Sequence, residues 1–191
     1  MTIGRRVVVA LVHALTLSGA GSAAGADPLH FRIEPEASEL TFAATSRLMN
    51  ADGKFHRFAG EVVADPNNLA TARVSLSVDA TSIDTGISLR DRHLRSDDFF
   101  DVERFPTITF ESLRVEADGR RVTVVGRLTM HGTSREIAVP LTVEITDTAL
   151  VARGEFTVNR SDYSIKYKSF LNPIGEVVRV AFVFLARAAR P

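Results

Sequence analysis

The sequence predicts an all-β domain of about eight or nine antiparallel strands, on three observations. Segment after segment alternates apolar and polar residues with a period of two, the pattern of strands buried on one face. Turn pairs such as Asp118-Gly119 separate these runs. Only residues 88–95 carry a helical signal, with Ser88 placed as N-cap and Asp91 three residues on. Periodicity of this kind fits either a sandwich or a closed barrel.

The chain opens outside that pattern. Arg5 and Arg6 precede an apolar run from Val7 to Leu17, and small residues follow from Ser18 to Ala26. A basic start, an apolar middle and an Ala24-Gly25-Ala26 site make a secretory leader, with cleavage after Ala26. The run is shorter than the roughly 20 residues a membrane-spanning helix needs. The domain proper is then residues 27–191, one unit, exported to the periplasm. With no cysteine the leader is not that of a lipoprotein, and no disulfide supports the fold.

The strands read in order as follows. "ELTFAATS" turns Leu40 and Phe42 to one face, and "ARVSLSVDA" does so with Val74, Leu76 and Val78. In "TITFESLRVEA" the apolar phase runs through Ile108 and Phe110, then Leu113 and Val115. The slip of one residue near Glu111-Ser112 is the mark of a β-bulge. After Asp118-Gly119, "RRVTVVGRLTM" aligns Val122, Val124, Gly126, Leu128 and Met130. A second, longer turn at His131-Gly132-Thr133 leads to Ile137, Val139, Leu141, Val143 and Ile145. Pro140 falls on the outward phase, and its missing N–H places it at an edge or a bulge. Leu150, Phe156 and Val158, then Val178, Val180, Phe182 and Phe184, complete the inward set.

Composition narrows the function. Of the 23 basic residues, Arg5 and Arg6 lie in the leader, which leaves 21 against 23 acidic ones, so the domain lacks the basic footprint of a nucleic-acid binder. The domain's histidines, His30, His56, His93 and His131, show no metal-ligand spacing, and no nucleophile motif is present. Metal and cofactor are therefore expected to be absent.

The segment "SIDTGISLRDRHLRSDDFFDVERFPTITFES", residues 82–112, resembles the YceI-like family of exported polyisoprenoid-binding proteins. "GKFHRFAGEVVAD", "GRLTMHGTSREIAVPL" and the terminal "GEVVRVAFVF" are similar to further segments of that family. The resemblance implies a lipocalin-like antiparallel β-barrel with a long apolar pocket for an isoprenoid or acyl lipid. It also allows homodimers. One departure stands in "RSDYSIKY", where Ser164 replaces a glycine usual in the family. The loop at 166–175 is another segment expected to vary.

Two readings of "SLRDRHLRSDDFFD", residues 88–101, follow. In one it is a lid over the pocket, with Arg90, Arg92, His93 and Arg95 at a rim facing a phosphate or carboxylate head. In the other, which charge chemistry alone favours, aspartates and arginines form a self-neutralising network and the phenylalanines are plain core. The expected cavity wall is Phe42, Phe55, Phe58, Leu94, Phe99, Phe100, Phe110, Phe156 and Phe184. The basic cluster Lys54 to Arg57 reads as a solvated hairpin face, with transient contact to a membrane as its functional counterpart. The function expected is a periplasmic carrier of a lipid chain. The alternatives are a barrel enzyme using His93 as acid or base, and a filled barrel with a structural or stress role.

Overall fold

A computed structural model of the protein describes residues 27–46, 50–167 and 174–189. The expected leader and most of the variable 166–175 loop lie outside the described residues.

Eleven strands and one α-helix follow in order. β1 (Leu29–Ile33) leads through a 3-10 turn at Pro35–Ala37 into β2 (Glu39–Ser46). β3 (Ala51–Phe55) and β4 (Phe58–Asp65) are parted by His56 and Arg57 alone. β5 (Asn68–Asp79) passes through a 3-10 turn at Ala80–Ser82 into β6 (Ile83–Asp84). After α1 (Ser88–Arg95) come β7 (Thr107–Asp118), β8 (Arg121–Met130), β9 (Thr133–Ile145), β10 (Ala149–Asn159) and β11 (Ile174–Ala188).

The first six strands act as three bent ones. β1 pairs with β4 while β2 pairs with β3, and β4 pairs with β5 while β3 pairs with β6. From β7 onward each strand pairs with the next. β11 then closes the circle, on β1 through Phe31↔Ala188 and on β2 through Phe42↔Val180. The result is a closed eight-stranded antiparallel barrel, not a sandwich, with β2, β3 and β6 extending one end. The apolar phase named from the sequence points inward, and Val78, Val122, Val124, Val139, Leu150 and Val158 are all buried.

The bends are braced by polar groups. Asp79 accepts from Thr81 N and Thr81 Oγ1 and from Arg57 Nε. The Thr81 hydroxyl and the Arg57 guanidinium hold its carboxyl below the ordinary range. His56 lies 2.8 Å from Asp84, and that hydrogen bond likewise lowers the Asp84 carboxyl. The Lys54–Arg57 stretch is thus a joint between bent strands.

Local expectations fare unevenly. The β7–β8 turn falls one residue later than the pair Asp118-Gly119: Asp118 pairs with Arg121, and Gly119, with positive φ, and Arg120 form the two-residue turn. His131 and Gly132 both have positive φ, so the β8–β9 connection is a tight two-residue turn and not a longer one. The bulge is present, but Leu113 is the extra residue between Ser112 and Arg114. It is therefore expelled, half exposed, instead of joining the inward phase. Ser112 Oγ accepts the Val74 amide across that irregularity at 2.8 Å. Pro140 marks where β9, paired with β8 throughout Thr133–Thr142, meets β10 only from Leu141 on. Ser164 adopts φ 64°, the left-handed backbone that glycine takes without steric cost, which suits the glycine that the resemblance implies there.

The connection after β10 buries Tyr163, whose hydroxyl finds no hydrogen-bond partner among the described residues. Burial pushes this phenol up to about 12. The neutral phenol is favoured in the folded state, so its contribution to stability is complete below the usual tyrosine range. That contribution is lost as pH rises through the folded value. An alkaline absorbance titration is expected to show a tyrosinate component near pH 12 that Tyr163→Phe removes. Ionisation of Tyr163 near pH 10 in the folded protein would contradict the burial argument.

Candidate ligand-binding cavity

Eight strands enclose an interior just wide enough for side chains to fill or for one small ligand. Here the interior stays partly empty. A cavity of about 260 Å³ runs along the barrel axis, and its wall presents only carbon to the void. Interiors pack to crystal density, with few voids larger than a water molecule, so a void of this size is a built feature. It lies just below the roughly 300–1,000 Å³ span of ligand pockets.

Phenylalanine–glycine pairs keep it open. Phe42 stands directly across from Gly53, and Phe182 directly across from Gly154. Phe110 reaches diagonally to Gly126 on the neighbouring strand. In each pair the ring lies where the glycine's Cβ would be. A Cβ at Gly53 would stand 2.6 Å from Phe42 Cζ, one at Gly154 2.5 Å from Phe182 Cζ, and one at Gly126 would collide with Phe110. Large rings are thereby laid along the wall instead of across the lumen.

Eight of the nine expected wall residues line the cavity: Phe42, Phe55, Leu94, Phe99, Phe100, Phe110, Phe156 and Phe184. Phe58 does not. It is buried at the β3–β4 bend with its ring 5.5 Å from that of Phe184, and Phe184 provides the wall there. Phe182, stacked on Phe184 at 4.8 Å, joins the wall although only its inward phase pointed to it.

The stretch 88–101 covers the end of the barrel where β6 has no further strand neighbour. α1 turns Leu94 inward and leaves Leu89 71% exposed. Below it Phe100 meets Phe55 edge-on at 6.1 Å, and Phe55 meets Phe42 at 5.7 Å. Ser88 is the first helical residue and makes no cap; Ile87 precedes it without a side-chain bond. Asp91 is instead buried and reaches back to Thr85, accepting from its amide at 2.9 Å and its hydroxyl at 2.5 Å.

The arginines follow neither expected reading. Arg90 donates to Thr85 Oγ1, to the Thr85 carbonyl and to the Asn50 carbonyl, tying α1 to the β2–β3 connection. Arg95 donates to the carbonyls of Thr81 at 2.9 Å and Ile83 at 2.6 Å. Both are rivets to backbone, not partners of aspartates. Arg92 is exposed, with no ion pair among the described residues. His93 sits 3.0 Å from Asp98, its ring edge-on to those of Phe99 and Tyr167, which also touch each other. Among the described residues no three His, Cys, Asp or Glu side chains gather as a metal site.

Arg160 was not foreseen. It is buried in the cavity wall, yet its guanidinium points away, onto the carbonyls of Ile165, Gly175 and Ile174. Carbonyl acceptors on three donors make the buried charge tolerable and leave only its carbon stem toward the void.

Comparisons with known proteins come to the same fold. A family model described as YceI-like domain matches residues 31–186. A UPF0312 protein of Pseudomonas aeruginosa strain LESB58 is 30% identical over 138 residues, 71% of each chain. The crystal structure of BcnA from Burkholderia cenocepacia superposes with a TM-score of 0.74 at 23% identity, over 80% of this chain and 98% of that one. A polyisoprenoid binding domain from Saccharophagus degradans, implicated in plant cell wall breakdown, gives 0.69 at 22% identity, over 84% and 99%.

Removing a rivet should loosen the lid. Arg95→Ala gives up two charge-assisted bonds and is expected to cost about 2 kcal/mol or more in a urea melt. Arg92→Ala is expected to change stability by no more than about 0.5 kcal/mol. Equal effects from the two would contradict the assignment.

Proposed function

The chain belongs to the YceI-like domain family, and from that premise we propose that it binds a long apolar lipid chain, isoprenoid or acyl, in the barrel cavity. The observation that carries this is a void whose wall offers carbon alone. Such a site favours a hydrocarbon and disfavours any polar group, which would lose its hydrogen bonds to water without replacement. Burying ten methylene-sized groups contributes about 8 kcal/mol gross, near micromolar affinity before ordering costs. The Saccharophagus degradans neighbour's description as a polyisoprenoid binding domain supports this choice of ligand.

The role is that of a periplasmic carrier, without chemistry on the ligand. Its support is the leader pattern at residues 1–26 and the setting of His93, held by a carboxylate and packed against two rings. The head group of a bound lipid stays at the mouth, since Arg160 turns its charge outward from the void. Exposed Ile87 and Leu89 on the lid, with free Arg92 beside them, favour brief contact with an anionic membrane during loading.

A filling substitution tests the reading. Ala152 is a wall residue in the first half of β10, and Ala152→Phe places a ring in the void. The variant is expected to melt at or above the wild-type temperature while losing displacement of a fluorescent polyene fatty acid. A melting loss of many degrees, with ligand uptake intact, would count against an open cavity.

A further inference from the structure

The three phenylalanine–glycine pairs do more than keep the interior open. Resting on the reading that the cavity holds a hydrocarbon chain, we infer that Gly53, Gly126 and Gly154 are specificity-determining residues that admit a methyl-branched chain where a narrower bore would accept only a straight one.

The pairs lie on β2/β3, β7/β8 and β10/β11, three separate sides of the closed wall. All three rings face the cavity. Carbon atoms in contact rest about 3.5–4.0 Å apart. A Cβ at Gly154 would stand 2.5 Å from Phe182 Cζ, so the ring would have to lift by about 1 Å toward the axis. The same holds at Gly53 against Phe42. The lumen has no other slack on those sides, because backbone lies behind each glycine: Asp84 O, Glu111 O and Pro140 O all crowd the same Cβ positions. A straight chain tolerates that narrowing; a chain with a methyl on every fourth carbon does not. One methyl group in an apolar pocket changes affinity by about 10–200-fold, which is the scale expected here.

Palmitic and phytanic acids are the probes. They share a carboxylate and a main-chain length and differ only in methyl branches. Titration calorimetry on the mature wild-type protein is expected to show phytanic acid bound at least as tightly as palmitic acid. In Gly154→Ala the preference for phytanic acid should fall about tenfold or more, and adding Phe182→Leu should restore it. An unchanged ratio in a folded Gly154→Ala protein would overturn the inference.

The Pro140 carbonyl also crowds that position, so Phe182→Leu by itself is a second arm: it removes the ring without adding a clash. It should widen the bore and raise the phytanic preference several-fold, and an unchanged ratio there overturns the inference equally. Should wild type bind palmitic acid well and phytanic acid not at all, the cavity reading stands and the glycine assignment is wrong. If it binds neither acid, the cavity reading fails and this inference falls with it.

Discussion

The structure depends on one packing device: a phenyl ring whose tip occupies the place of the missing Cβ of a glycine on the next strand. A barrel of eight strands fills itself if its inward residues are large and stand upright. This chain's inward residues include many phenylalanines, and it still keeps a void of about 260 Å³. Glycines at 53, 126 and 154 give three rings somewhere to lie. A fourth glycine, Gly60, does the same for Ile33, whose Cδ1 would stand 2.6 Å from its Cβ. Phe42, Phe110 and Phe182 thereby line the lumen, which suits dispersion contact with a flexible chain along its length.

The second constraint is that an open apolar barrel must be closed against water. The lid segment achieves this with charge that never meets the cavity. Arg90 and Arg95 grip backbone carbonyls of the bent strands and the β2–β3 connection, while Asp91 holds Thr85. Arg160 does the same from the wall. Guanidinium suits each place, since its planar fork reaches several acceptors at once. The dense charge of residues 88–101 and the greasy interior beneath are therefore two faces of one closure. Leu94, Phe99 and Phe100 look inward while the polar groups bind the rim.

Much of this was legible in the sequence. Period-two runs named the inward faces of the later strands, and residues 88–95 form the helix at the expected place. Of the expected wall residues, Phe42, Phe110, Phe156 and Phe184 followed from the same phase, while Phe55, Leu94, Phe99 and Phe100 lie outside those runs and were expected from the segments that resemble the family. The misses share a cause: they concern partners that a sequence does not print. Nothing near Arg90 or Arg95 marks a carbonyl as their acceptor, so counting aspartates suggested an ionic network instead. Phe58 keeps the inward phase but falls at a bend, where period and position part company. Leu113 looked inward because a bulge shifts the count by one, and which residue is expelled depends on the register with β8. Gly126 stood in an apolar series, a visible signal that a strand needed space; only the pairing shows that Phe110 takes it.

The central claim is that the void holds a hydrocarbon chain in the living cell. Native mass spectrometry on the protein isolated from its source cells tests this most directly. The account predicts a mass above that of the polypeptide alone, falling to the bare chain after extraction with organic solvent, with an apolar chain in the extract. A bare mass from the start, and no uptake of added prenyl or fatty-acid ligands, would contradict it.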